Sequence, residues 1–174
     1  MAEEKTGLIQ VYTGNGKGKT TAALGLALRA AGQGKKVIII QFVKGAHWCG
    51  EHLFASKYHP FEIVQPNPQD SFTQSREELY PVVQQTLAYA AQVMLAADYD
   101  IVIWDEIFIA ISLGLVTTKE VLDLMSYKPE TVEMVLTGRN APLEIIQQAD
   151  LVTEMVMIKH PFSKGIGARR GIEY

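Results

Sequence analysis

Short apolar runs alternate with longer segments of helical periodicity along the 174 residues of the chain. Continuous apolar runs between turn residues are typical of strands that are buried on both faces of a sheet. The pattern predicts six strands, over residues 8–12, 36–43, 61–64, 101–104, 132–136 and 151–158. It predicts four main helices, over residues 20–31, 76–97, 118–125 and 142–149. This alternation indicates an α/β fold with a mostly parallel six-stranded sheet and helices on both faces.

Composition limits the class of protein further. Hydrophobic residues make up 48% of the chain and charged residues 20%, which is typical of a soluble globular protein. The length predicts a single domain over residues 1–174. The first five residues lack the basic start and apolar core of a signal peptide, and no apolar run is long enough to span a membrane. We therefore expect a cytoplasmic protein with no membrane partner.

The balance of charge argues against a nucleic-acid partner. The formal net charge is −3, whereas proteins that bind nucleic acids usually carry a basic face. A local basic stretch lies near the C-terminus and consists of Lys159, His160, Lys164, Arg169 and Arg170. It is suited either to an anionic ligand or to a solvated tail, and charge alone favours the solvated tail.

A glycine-rich loop joins the first predicted strand to the first predicted helix. Residues 13–21 have the sequence Thr-Gly-Asn-Gly-Lys-Gly-Lys-Thr-Thr. Glycines let successive backbone N–H groups face an anion, and the helix N-terminus adds its dipole. Lys19 supplies a point charge and Thr20 a hydroxyl for Mg²⁺. The loop predicts a bound nucleoside triphosphate with magnesium, although the standard spacing requires glycine where this chain has Thr13, and Lys17 is an additional cation.

Further polar residues follow other predicted strands. The carboxyl ends of parallel strands meet at one edge of a sheet, so residues 41–45, 105–106 and 137–139 should converge on the glycine-rich loop. An acidic pair after a buried strand, Asp105 and Glu106, is typical of a carboxylate that serves magnesium, and a helix N-cap is the alternative. Because side chains alternate along a strand, we expect only one acid to face the nucleotide directly. The pattern leaves open which one.

Two arginines are candidates for anion binding, and the histidines are not metal candidates. Arg139 lies at a predicted strand end, where it is suited to a two-point contact with a phosphate or carboxylate or is a surface cation. Arg29, on the first helix, is suited to an ion pair or to a nucleotide contact. The four histidines show no metal-ligand motif and Cys49 has no partner cysteine, so no structural zinc site is predicted.

Seven segments spread over almost the whole chain form a further pattern. They are residues 13–23, 41–45 (Gln-Phe-Val-Lys-Gly), 105–106, 136–139 (Leu-Thr-Gly-Arg), 149–155, 159–161 (Lys-His-Pro) and 171–174 (Gly-Ile-Glu-Tyr). The loop alone indicates only nucleotide binding. Together the segments resemble the P-loop type of ATP:corrinoid adenosyltransferase, and the order of Asp150, Thr153, Glu154, Lys159 and His160 makes the resemblance specific.

The resemblance implies a P-loop NTPase-like, RecA-type fold, a homodimer and a transferase reaction. In that reaction, Co(I) of a reduced corrinoid attacks the 5′ carbon of ATP and triphosphate leaves, in adenosylcobalamin synthesis or salvage. The implied cofactor is Mg²⁺ or Mn²⁺. The implied partners are ATP, cobalamin or another corrinoid, and an electron-donating reductase or flavodoxin-like protein. In the family, ATP lies in the loop in the reversed sense.

Residue roles follow from the resemblance position by position. Lys19, Thr20 and Glu106 are the expected catalytic residues, and Thr20 and Glu106 are favoured over Asp105 as magnesium ligands. The family uses a Phe-x-Trp pair to displace the lower axial ligand of the corrinoid, and Phe72 matches the phenylalanine, but no tryptophan follows two residues later. The expected ATP contacts are Gly14, Asn15, Gly16, Lys17, Gly18, Lys19, Thr20 and Thr21, with Arg29 and Arg139 as further candidates.

Two other functions are compatible with the loop and the acidic pair alone. One is a small-molecule kinase or NTPase that transfers or hydrolyses the γ-phosphate. The other is a nucleotide-binding regulator without turnover. Both use the same phosphate loop, so the reaction products decide between the three functions: a kinase or NTPase forms products other than triphosphate and adenosylated corrinoid, and a regulator forms none.

Overall fold

The computed structural model describes residues 6–44, 49–67 and 69–174. Six strands form one sheet in which every pair of neighbours is parallel, which confirms the predicted α/β architecture. The strands are β1 (Ile9–Thr13), β2 (Val37–Gln41), β3 (Glu62–Val64), β4 (Ile101–Asp105), β5 (Glu133–Thr137) and β6 (Leu151–Glu154). Their order across the sheet is β3-β2-β4-β5-β1-β6.

Six α-helices are described, and a short 3₁₀ helix covers Pro161–Lys164. They are α1 (Lys19–Gly32), α2 (Gly50–Tyr58), α3 (Arg76–Ala96), α4 (Ile107–Ser112), α5 (Thr118–Ser126) and α6 (Leu143–Gln148). None of these helices combines the length and apolar character that a membrane span requires.

The sequence pattern missed two helices and extended two strands too far. Helix α2 leaves its large apolar side chains Leu53 and Phe54 exposed, so it shows no buried apolar stripe. Helix α4 has only six residues, nearly all apolar, and a short apolar run does not distinguish a helix from a strand. Strand β2 ends at Gln41 rather than at residue 43, and β6 ends at Glu154 rather than at residue 158.

Alternation along the central strands sends successive side chains into two cores on opposite faces of the sheet. Ile39 and Ile103 belong to the core that α1 and α2 cover, whereas Ile38 and Trp104 belong to the core under α3 to α6. The same alternation places the last residues of β2 and β4 on the α1 face. These residues, Gln41 and Asp105, are also paired in register.

Helix α1 begins differently from two of the other helices. Ser75 and Thr117 cap α3 and α5, and each shares a reciprocal capping box with a glutamate three residues later. The N-cap of α1 is Gly18, which provides no side-chain cap, and the first turn of α1 contains no acidic residue. The first N–H groups of α1 and its positive dipole end therefore face the loop that precedes the helix.

Candidate active site

The glycine-rich loop between β1 and α1 has the backbone geometry of a phosphate cradle. Gly14 and Gly18 have φ angles of 98° and 127°, which favour glycine. Thr13, where the standard loop has glycine, is the last residue of β1, and its Oγ1 accepts a hydrogen bond from the Ala141 N–H at 3.2 Å. The Thr13 side chain therefore ties the start of the loop to the segment after β5.

The side chain of Lys19 lies inside this loop. It is buried, and its Nζ donates to the carbonyl oxygens of Gly14 and Gly16, both at 2.8 Å. Burial lowers the pKa of Lys19, and the charges of Glu106 and Asp105 act in the opposite direction. The ammonium group is thus fixed at the centre of the loop, where a bound phosphate would meet it.

The loop is packed closely against the segment that follows β6. The Gly16 N–H donates to the Met155 carbonyl at 2.6 Å, and a Cβ on Gly16 would lie 2.6 Å from that oxygen. We expect Gly16→Ala to lower the free energy of unfolding by about 1–3 kcal/mol, because the two backbones must separate. Urea denaturation measures this change.

Gly25→Ala is the matched control, since a Cβ at Gly25 in α1 meets no atom within 4 Å. It should stabilise the protein by about 0.5–1 kcal/mol, because alanine restricts the unfolded chain and favours a helix. A Gly16→Ala variant as stable as the wild type would show that the segment after β6 does not constrain the loop.

The C-terminal residues contact the same loop, and of the five basic residues near the C-terminus His160 lines the cleft, whereas the other four are exposed. Lys17 Nζ donates to the Ile172 carbonyl at 2.9 Å and to Glu173 Oε1 at 3.0 Å. Arg169 Nη2 also donates to Glu173 Oε1, at 3.0 Å. Hydrogen bonds from Arg169 and Lys17 lower the pKa of Glu173 to about 2, so this carboxylate is charged at neutral pH. His160 and residues 171–174 line one cleft with the loop.

Asp105 lies at the centre of a buried polar network beside the loop. Its Oδ1 accepts hydrogen bonds from the hydroxyls of Thr20, at 2.9 Å, and Thr137, at 2.7 Å. Its Oδ2 accepts from Gln41 Nε2 at 3.1 Å, and Lys44 Nζ is 3.7 Å from the same oxygen. The ends of β2, β4 and β5 therefore converge on the first turn of α1, as the sequence predicted.

Glu106 departs from strand alternation. Its φ of 59° is left-handed, and its N–H donates to Thr137 Oγ1 at 3.0 Å. Among the described residues, its Oε2 is a buried oxygen without a hydrogen-bond partner. Burial and the neighbouring Asp105 carboxylate raise the pKa of Glu106. This turn brings Glu106 into the lining of the cleft, whereas Asp105 is fully buried and does not line it. The geometry of the cleft thus agrees with the expectation that only one of the two acids faces it directly.

Lys44 is a site residue in the segment after β2, for which the sequence pattern predicted convergence on the loop but no role. It lines the cleft and lies 3.4 Å from Glu51 on α2 as well as near Asp105. Burial opposes its charge, but the carboxylates of Asp105 and Glu51 outweigh burial and raise its pKa. Its position three residues after the end of β2 could have indicated that Lys44 belongs to the site. No sequence pattern indicated this for Glu51, because α2 itself was not predicted.

The two arginine candidates have different positions. Arg139 lines the cleft with the phosphate loop. Arg29 is exposed in the last turn of α1, ten residues after Lys19 and so about 15 Å along the helix axis. Its charge acts on Tyr12, and it is not among the residues that line the cleft. The expected contact of Arg29 with the triphosphate is therefore not supported.

Phe72 lies in the segment between β3 and α3 and is 74% exposed. The neighbouring Ser71 anchors its loop, because the Ser71 N–H donates to the Lys44 carbonyl at 3.0 Å and Ser71 Oγ accepts from the Lys44 N–H at 3.3 Å. An exposed aromatic ring is thus attached through Lys44 to the cleft. Trp48 and His47 lie outside the described residues.

Cys49, Glu51 and His52 form a cluster whose possible ligand atoms lie within 4.8 Å of one another. Both ring nitrogens of His52 are already engaged. Nδ1 accepts from the Cys49 N–H at 3.1 Å, and Nε2 is 2.8 Å from Gln41 Oε1. Metal binding by His52 would break one of these bonds, so the cluster fits a hydrogen-bonded structure better than a metal site.

A parallel sheet with a phosphate loop at the carboxyl end of β1 and a buried acid at the end of β4 defines a P-loop nucleotide-binding protein. The flagellar accessory protein FlaH from Methanocaldococcus jannaschii has a similar fold, with a TM-score of 0.55 over 86% of this chain and 71% of FlaH. The two sequences are 13% identical, so this likeness concerns the fold alone.

Sequence comparison identifies the family. The model of the family ATP:corrinoid adenosyltransferase BtuR/CobO/CobP matches residues 5–174. A corrinoid adenosyltransferase of Pseudomonas aeruginosa is 36% identical over 100% of this chain and 87% of its own length. Corrinoid adenosyltransferases of Escherichia coli K12 and, as CobA, of Salmonella typhimurium are each 34% identical over 100% of this chain and 89% of their own lengths.

The chain belongs to the ATP:corrinoid adenosyltransferase family. It is a transferase that uses ATP to adenosylate corrinoids in cobalamin synthesis.

Proposed function

We propose that the phosphate loop holds the triphosphate of ATP as the leaving group while Co(I) of the corrinoid attacks the 5′ carbon. The cobalt electron pair forms the Co–C bond, the C5′–O bond breaks, and its electron pair leaves with triphosphate. One observation carries this proposal: Lys17, Lys19, Lys44 and Arg139 all line the cleft that contains the loop. These cations surround the group on which negative charge grows.

Stabilisation of the leaving group is the main task that this mechanism gives to the protein. Cations and backbone N–H groups fixed before the reaction favour the charge that develops in the transition state. Lys19 is already held by the Gly14 and Gly16 carbonyls, and the first turn of α1 has no acidic residue to compete with phosphate. The substrate cobalt is the nucleophile, so no protein nucleophile or general base is required.

The residues beside the loop fit a divalent cation. Thr20, Asp105 and Glu106 offer only oxygen atoms, which suit Mg²⁺ and Mn²⁺. The buried Oε2 of Glu106 has no hydrogen-bond partner among the described residues, and a cation would provide one. We assign Thr20 and Glu106 as ligands, with Asp105 orienting the Thr20 hydroxyl through their hydrogen bond. When bound, the cation supplies positive charge to the departing triphosphate.

Identification of the products tests the mechanism. ATP, Mg²⁺ and chemically reduced cobalamin are incubated with the protein, the Co–C bond is followed by its absorption spectrum, and the phosphate products are separated. We expect one triphosphate for each adenosylated corrinoid. ADP with inorganic phosphate would instead indicate a kinase or NTPase. ATP binding without a spectral change would indicate a regulator.

Phe72 is proposed to contact the corrinoid and to displace its lower axial ligand, which makes Co(II) easier to reduce. We expect Phe72→Ala to slow the reaction that starts from Co(II) by about tenfold or more, and the reaction that starts from Co(I) far less. Both rates are measured in separate assays, one started with Co(II) corrinoid and one with Co(I) corrinoid. Tyr127→Ala, which removes another ring that is 69% exposed, is the control. Equal losses from Co(II) and Co(I) would assign Phe72 a packing role.

The remaining partners are also part of the proposal. A homodimer is supported by large apolar side chains exposed after β6, such as Val156, Ile158 and Phe162. Analytical ultracentrifugation measures the assembly, and a monomer at all concentrations would contradict it. An electron-donating reductase or flavodoxin-like protein is proposed because the mechanism consumes Co(I), and a cytoplasmic location would place the enzyme beside such a donor.

A further inference from the structure

We propose that His52 and Gln41 are positioning residues that orient Asp105 at the cation site. This inference rests on the proposed function, because it concerns the cation assigned to Thr20 and Glu106. Gln41 and Asp105 are fully buried partners in register at the ends of β2 and β4, and His52 is on the first turn of α2. Hydrogen bonds connect the three side chains in a row.

The hydrogen bonds from His52 through Gln41 to Asp105 are consistent with only one order of donors and acceptors. The Cys49 N–H donates to His52 Nδ1, so this nitrogen carries no proton. The proton of the neutral ring is therefore on Nε2, which donates to Gln41 Oε1 at 2.8 Å. The Gln41 amide must then present its Nε2 to Asp105 Oδ2, at 3.1 Å. The backbone N–H of Cys49, the N-cap of α2, thus determines which way the Gln41 amide faces.

The opposite amide orientation is unfavourable. It would direct the Gln41 carbonyl oxygen at the Asp105 carboxylate and leave a buried acceptor without a donor. In the observed orientation, Gln41 donates to Asp105 Oδ2, which Lys44 also approaches. The other carboxylate oxygen, Asp105 Oδ1, accepts from the hydroxyls of Thr20 and Thr137. The carboxylate is fixed from the side opposite Thr20, so His52 acts on the cation site through two other residues.

Two substitutions separate this role from helix capping. In His52→Gln, the amide nitrogen replaces the Nε2 donor to Gln41, and the acceptor for the Cys49 N–H is lost. In His52→Asn, the amide oxygen replaces the Nδ1 acceptor, and the donor to Gln41 is lost. A positioning role needs the donor, whereas a capping role needs the acceptor. The two hypotheses therefore predict opposite orders of the variants.

The affinity of each variant for ATP is measured by calorimetric titration, once in the presence of Mn²⁺ and once in EDTA. We expect His52→Asn to weaken binding of MnATP about tenfold while binding of ATP in EDTA stays within about twofold of the wild type. His52→Gln should bind both within about twofold of the wild type. Gln41→Met, which removes both amide groups at similar volume, should match His52→Asn, and the double variant should lose no more than either alone.

Several results would overturn the proposal. These are equal MnATP affinities for His52→Asn and wild type, a larger loss in His52→Gln than in His52→Asn, or equal losses in Mn²⁺ and in EDTA. If the wild type itself shows no effect of Mn²⁺ on ATP binding, the proposed cation role fails independently. The ring ¹⁵N NMR shifts of His52 in the metal-free protein then decide the direction of the row. The shifts should show the Nε2–H tautomer of His52, and an Nδ1–H tautomer would contradict the proposed order of donors and acceptors.

Discussion

Lys19→Ala is expected to lower kcat/KM for adenosyl transfer by at least about 10³-fold, which makes the variant effectively inactive. The Lys19 ammonium is buried at the centre of the loop and held by two carbonyl oxygens at 2.8 Å. A charge fixed in this way before substrate binds needs little rearrangement when charge grows on the leaving group. Burial also keeps water away from the ammonium, so its attraction to triphosphate is weakly screened.

Lys17→Ala is the matched control, because it removes the same kind of charge from the same loop. The Lys17 side chain is 49% exposed and already bonded to the C-terminal residues, so its loss should cost about tenfold or less. Both variants are assayed from chemically generated Co(I), and circular dichroism verifies that each is folded. Near-normal activity of a folded Lys19→Ala variant would refute the role of Lys19 in stabilising the leaving group.

The sequence was most informative where function depends on local chain geometry. A glycine-rich loop followed by Lys19 and Thr20 requires a fixed spacing along the chain, and this spacing is visible without the fold. The convergence of Asp105, Thr137 and Gln41 was also predictable, because each residue ends a strand and parallel strands end at one edge of the sheet.

Features that depend on long-range contacts were not predictable. The bond between Lys17 and Glu173 joins residues 156 positions apart, and neither residue alone indicates the other. The left-handed turn that brings Glu106 into the cleft was not predictable either, since a non-glycine residue with positive φ follows from tertiary structure rather than from local preference. The role of His52 was hidden for a similar reason, because α2 lacks the buried apolar stripe that would have revealed it.

Asp105→Asn is expected to fold but to lose about 10²-fold or more in cation-dependent turnover. The asparagine oxygen can accept from Gln41 and lie near Lys44, and its amide nitrogen then faces the hydroxyls of Thr20 and Thr137, which can accept. Both polar atoms of the asparagine therefore keep a hydrogen-bond partner, with the donor and acceptor roles toward Thr20 and Thr137 reversed. The charge beside the cation site is gone, and an N–H donor faces the Thr20 hydroxyl. Activity measured against Mg²⁺ concentration, with urea denaturation as the check on folding, tests this expectation.

Glu106→Gln provides the comparison, because it removes a charge of the same sign from the adjacent residue. Burial raises the pKa of Glu106, so folding favours its protonated form, and its charge at neutral pH lowers stability. Glu106→Gln should therefore weaken binding of Mg²⁺ while raising the free energy of unfolding at pH 7. This increase should shrink as the pH falls through the raised pKa of Glu106, and it should vanish below the ordinary pKa of a glutamate. Asp105→Asn should show no such gain, because its carboxylate is already satisfied by three hydrogen bonds. If Asp105→Asn kept full activity at the same Mg²⁺ concentration, the Asp105 charge would have no part in cation binding, and its role would be limited to holding Thr20.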